Sequence, residues 1–110
     1  MADEDTKRAA HRVLVERILT GEGHTSADQR RRAFDHVDVP PPLQPLLGHV
    51  VTAPTQVSDG DFATAAAAGY TEEQLVELVI SAALGASSRM YDAGLAALDE
   101  ATGEGPDDAT

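Results

Sequence analysis

With 110 residues the chain has room for one modest core and not for two, since autonomous domains cluster at roughly 100 to 150 residues. Nineteen Asp and Glu against eight Lys and Arg leave a formal charge of −11, which repels the phosphates that a nucleic-acid binder must neutralise, so no nucleic-acid partner is expected. There is no cysteine, and its absence removes disulfides, thiolate metal sites, thiol peroxidase chemistry and cysteine nucleophiles together.

The opening "MADEDTKRAA" is charged and lacks the apolar centre of a signal peptide, and no apolar run reaches the roughly 20 residues that span a bilayer. A cytoplasmic protein without a membrane partner is expected. "TKRAAHRVLVERILTGEG" then spaces Ala10, Val13, Leu14, Arg17 and Ile18 along one side of a helix, with Val15 and Leu19 widening the stripe. Thr6 is its expected N-cap, and Gly21 and Gly23 its stop.

In "TSADQRRRAFDHV", Ser26 precedes Gln29 by three residues, the spacing at which a hydroxyl and an amide cap each other's backbone donors. A short helix follows, with Ala33, Phe34 and Val37 as its buried side and Arg30, Arg31 and Arg32 as a solvated face or as ion-pair partners for Asp28 and Asp35. The prolines of "DVPPPLQPLLGHVV" belong before or in a first turn, which predicts a helix from about Pro42 to Thr52. Ser58 and Asp61 cap a fourth helix that Gly69 closes, and Thr71 and Gln74 cap a fifth and longest one. Beyond Gly103, "GEGPDDAT" has the composition of a disordered acidic tail over residues 103–110.

No segment alternates with period two, so the expected fold is all-α: one compact domain over residues 1–102, of about five helices, with a long buried C-terminal helix. From Leu75 to Ala86 that helix is apolar on every side, and a chain of this size can barely surround it. Part of its surface is therefore expected to meet another subunit. Gly85, which costs about 1 kcal/mol relative to Ala inside a helix, should have a local packing reason.

The stretch "PTQVSDGDFATAAAAGYTEEQLVELVISAALGASSRMYDAGLAAL" resembles the C-terminal half of the carboxymuconolactone decarboxylase and alkylhydroperoxidase-D-like superfamily. There a "V-[ST]-D-x-D-F" helix opening, a helix ending at Ala-Gly and a capped "[ST]-x-E-[EQ]-[IL]-V-E-L-V" helix recur in this order. Val57, Ser58, Asp59, Asp61, Phe62, Ala68, Gly69, Thr71, Glu73, Leu75, Val76, Glu77, Leu78 and Val79 carry the match. The resemblance implies an all-helical, oligomeric protein. Its peroxidase-type members use a Cys-x-x-Cys motif that this chain lacks, so no residue of that motif carries over. The decarboxylase side works through acid–base residues, typically a His.

The histidines are His11, His24, His36 and His49, and none falls in a spacing that matches a motif of that family. His24 lies in a loop; His11 and His36 lie at helix edges, where His36 would favour a helix C-terminus when charged. His49, between Gly48 and Val50 on an apolar helix, is the candidate general acid or base. Arg89 and Tyr91 interrupt the uncharged run of the long helix and, with Glu77 three turns earlier, are the candidate substrate-binding cluster for a carboxylate, with ion pairing of Arg89 to Asp92 or another acidic neighbour as the structural alternative.

No motif requires a cofactor, and no His-x-x-x-His or Glu-x-x-His spacing marks a metal site. Three readings of function follow. The chain is a non-redox structural or accessory subunit, working as a homo-oligomer or beside a larger partner subunit; or a lyase or isomerase for a small-molecule ligand, using His49 and Arg89; or an acidic binding module.

Overall fold

The computed structural model describes residues 2–102, and among them the chain is all-helical, with no strand. Five α-helices follow one another: α1 Ala2–Thr20, α2 Ala27–Asp35, α3 Gln44–Thr52, α4 Asp59–Ala67 and α5 Glu72–Thr102. Single 3-10 turns at Pro41–Leu43 and Pro54–Gln56 lead into or out of α3. Residues 103–110, where the acidic tail was expected, lie outside the described residues.

All three capping pairs form. Ser26 accepts from the Gln29 amide at 3.0 Å while the Gln29 side chain accepts from the Ser26 amide at 2.8 Å. Ser58 and Asp61, then Thr71 and Gln74, repeat the exchange at α4 and α5. Each pair satisfies two amides that a helix start leaves without partners. Gly69 follows the end of α4 with φ 105°, a left-handed backbone that a Cβ would oppose.

Three expectations for the first half need correction. Thr6 does not cap α1, which already starts at Ala2, so Thr6 lies inside the helix. Nor does α1 bury Val13 and Leu14, which stay 57% and 50% exposed, and Val37 beyond α2 is exposed as well. Instead α1 turns His11, Val15, Ile18 and Leu19 inward, because it is pinned to α5 at both ends of that stripe. His11 meets Ser88, and the loop after α1 meets Glu77, so α1 and α5 run antiparallel.

The core is built of small and branched side chains: Ala33, Leu43, Leu46, Leu47, Ala65, Leu75, Leu78 and Ala82, with Val50, Val57 and Val79 against it. Each fully buried Leu contributes about 1.5–3 kcal/mol of burial free energy. Around α5, the buried residues Leu75, Leu78, Ser81, Ala82 and Gly85 form one face, against α2 and α3. The opposite face stays open within the chain: Val76 is 49% and Ile80 48% exposed. The molecule measures 60 × 29 × 20 Å.

Gly85 has the packing reason that its position demanded. A Cβ there would sit 1.9 Å from the carbonyl oxygen of Phe34, so the end of α2 rests directly on the α5 backbone. One turn further, Arg89 donates to that same carbonyl at 2.7 Å. Phe34 is among the last carbonyls of α2, which lack partners within the helix. Gly85 and Arg89 together seat that helix end.

Candidate functional site

His49 sits on the last turns of α3, and its Nδ1–H donates to Asp61 Oδ2 at 2.7 Å. The same oxygen accepts from the Ser58 amide at 3.2 Å, so the carboxylate that caps α4 also holds the imidazole. The His49 hydrogen bond holds Asp61 below the usual carboxylate range, with the Ser58 amide acting in the same direction and burial opposing both. This arrangement orients the ring with Nε2 as the nitrogen left for chemistry. Sequence reading had both residues but not their contact: Asp61 was legible as a cap, whereas Glu or Gln is the commoner residue at that position of a capping box.

Arg89 and Tyr91 end in different places. Arg89 is occupied by the Phe34 carbonyl, and among the described residues no ion pair joins it to Asp92 and no hydrogen bond to His49, whose partner is Asp61. Tyr91 lines an open cavity of about 210 Å³ between α1, α2 and α5, together with Arg8, His11, Arg12, Phe34, Ser88 and Asp92. The Tyr91 and His11 rings lie 6.3 Å apart. Ser88 donates to the Leu84 carbonyl at 2.8 Å, which leaves its Oγ to accept from His11 Nε2–H at 2.8 Å. Arg8 and Arg12 are one turn apart on α1 and make no ion pair among the described residues. Two like charges at that spacing repel, and an anion between them would relieve the repulsion.

The rest of the basic cluster is used internally. Arg30 is buried and donates to the Ile18 carbonyl at 2.7 Å, satisfying the end of α1. Arg31 pairs with Asp35 at 3.6 Å and Glu16 at 3.9 Å, and Arg32 with Asp28 at 2.8 Å. These exposed pairs each contribute little to stability.

The most strongly perturbed acid is Glu77, which is bound to the loop after α1 and not to Arg89, so the expected cluster with Arg89 and Tyr91 does not form. One of its oxygens accepts from the His24 amide at 2.6 Å, the other from the Thr25 amide at 2.8 Å and the Thr25 hydroxyl at 2.7 Å. Those bonds, led by the His24 amide, pull its pKa down to about 2. Gly23 makes room for the carboxylate, since a Cβ there would come within 2.8 Å of both oxygens. Gln74 adds a bond to the His24 carbonyl at 3.2 Å. Glu77 is thus a latch that fastens the α1–α2 loop to α5, with both of its oxygens engaged inside the fold.

Among the described residues no three His, Asp or Glu side chains are grouped to hold a metal ion, and no helix is long and apolar enough to cross a membrane. Among the described residues, the cavity beside Tyr91, the open face of α5 and the Nε2 of His49 have no internal role. No family model matches the chain, and no curated protein or solved structure matches it.

Proposed function

We propose that the chain is a cytoplasmic structural or accessory subunit that works as a homo-oligomer, a non-redox relative of the carboxymuconolactone decarboxylase-like proteins that its second half resembles. One observation carries the reading. α5 keeps an exposed face with no charged residue from Val76 to Ala101, in a protein whose surface is otherwise acidic. Isolated exposed apolar residues are ordinary, but a continuous uncharged stripe along a 31-residue helix marks a place for another helix. The absence of cysteine and the internal employment of Glu77 and Arg89 fit a scaffold better than a catalyst. Light scattering across a concentration series tests this: particles of twice the 11.5 kDa chain mass, or a higher multiple, are expected at tens to hundreds of micromolar. A monomer throughout that range would remove the reading.

A second reading rests on the cavity beside Tyr91. Arg8 and Arg12 offer positive charge, and Tyr91 a ring and hydroxyl, to a small anionic ligand such as a carboxylate, with the Ser88-anchored His11 at its wall. On this reading the carboxylate is held by Arg8 and Arg12 while Arg89 keeps its bond to the Phe34 carbonyl. Titration with small carboxylates, followed by chemical-shift changes at Tyr91 and Ser88, tests it. Binding lost in Arg12→Ala is expected; shifts scattered over the surface would dismiss it.

A further inference from the structure

Between Leu75 and Ser88 the exposed positions of α5 are Val76, Ile80, Ala83 and Ser87, at alternating steps of four and three residues, and beyond Arg89, where nearly every residue is exposed, the same steps reach only the uncharged Met90, Gly94, Ala97 and Ala101. This is the seam spacing of a two-stranded coiled coil. The core-facing residues Leu75, Leu78, Ser81, Ala82 and Gly85 lie on the far side of the helix from it, so the seam is free along its whole length. From the sizes along this seam we infer that α5 pairs with α5 of a second copy in antiparallel orientation, with the twofold axis between Ser87 and Met90. The inference rests on the oligomeric reading above and adds its geometry.

In that register Val76 faces the second copy's Ala101, Ile80 faces Ala97, Ala83 faces Gly94, and Ser87 faces Met90. Every large side chain meets a small one, as interdigitating layers require. A parallel pairing would instead set Ile80 on Ile80 and Met90 on Met90 beside layers of Gly94 on Gly94 and Ala83 on Ala83. Bulky layers would then hold the helices apart and leave the small ones empty, at the cost that cavities carry.

The flanking positions agree. Glu77 lies across from Leu98 and Leu84 from Tyr91 on one side of the seam; Val79 lies across from Glu100 and Ala86 from Ala93 on the other. Between Val76 and Ala101 no like charges face each other, although each copy carries −11 overall. The charged residues Arg89, Asp92 and Asp99 point away from the seam by their heptad positions. About 39 Å of helix about 10 Å wide covers about 800 Å² in total for the pair, which is the size of a weak, reversible interface. Because the copies repel through their net charge, salt should strengthen the association.

Native absence of cysteine makes a disulfide test clean. In the inferred register the double variant Ile80→Cys/Ala97→Cys brings each new thiol opposite its counterpart in the second copy. The single variants leave their thiols about 25 Å apart along the axis, far beyond the roughly 7 Å that a disulfide tolerates between Cα atoms. Under mild oxidation at 200 μM, the double variant should form a covalent dimer and each single variant should not. If either single variant cross-links as efficiently as the double, the antiparallel register is wrong while the oligomer stands. If none cross-links and light scattering gives oligomers, α5 is not the interface; if scattering gives monomers, both readings fall.

Discussion

The two halves of α5 are one unbroken helix with opposite surroundings. From Leu75 to Gly85, one side carries Leu75, Leu78, Ser81 and Ala82 into the core, and Glu77 anchors the α1–α2 loop. From Arg89 to Thr102 nearly every residue is exposed, and Met90 is 72% exposed. What continues across both halves is the uncharged seam. Burial explains the composition of the first half, but it does not explain why the second half stays free of charge on that same line; a second copy would explain both.

The two interior glycines give the sharpest contrast. Gly85→Ala drives a methyl into the Phe34 carbonyl and should cost about 3 kcal/mol, read as a lower urea midpoint. Gly94→Ala meets open space within the chain and should stabilise the helix by about 1 kcal/mol. Equal effects at the two positions would break the contrast between the halves.

Next in size is the Glu77 latch. Glu77→Gln puts an amide against three donors and should cost about 2 kcal/mol at pH 7, measured by chemical denaturation. Since the folded-state pKa is depressed from 4.5 to about 2, the latch stabilises fully above pH 4.5 and is lost as pH falls toward 2. Asp61, also depressed, acts in the same direction below its ordinary value of 3.8. The stability of Glu77→Gln should therefore vary less than that of the native chain across this window; parallel profiles would show that the carboxylate is not the titrating group.

His49→Ala should cost about 1 kcal/mol, since it removes one partner of a carboxylate that keeps its Ser58 bond. The smallest effect belongs to the connector after α2, where His36 and Asp38 are left-handed with φ 55° and 54°. Asp38→Gly should raise stability by about 0.5–1 kcal/mol, visible as a higher Tm.

Local rules made most of the fold legible. Capping pairs only three residues apart fixed three helix starts, and the Leu and Ala pattern identified the core. What escaped depends on contacts far apart in sequence. Val13 and Leu14 looked like the buried side of α1, but His11 on Ser88 and the loop on Glu77 set its rotation. Arg30 stood in a basic run that read as solvated, and only the nearness of the α1 end gives it a buried carbonyl to satisfy. His49 and Asp61 were each visible, but their meeting requires the fold of α4 against α3. Arg89 looked available for a ligand because nothing local predicts that the α2 terminus lands on Gly85.

The central claim is that the free face of α5 joins a second copy, and sedimentation equilibrium of Ile80→Glu against the native chain tests it most directly. Ile80 is 48% exposed, so the substitution leaves the monomer core intact while placing a charge in the middle of the seam. The expected result is a native chain that self-associates and a variant with unchanged far-UV circular dichroism whose dimer dissociation constant rises at least 100-fold. A variant that associates as strongly as the native chain would contradict the account.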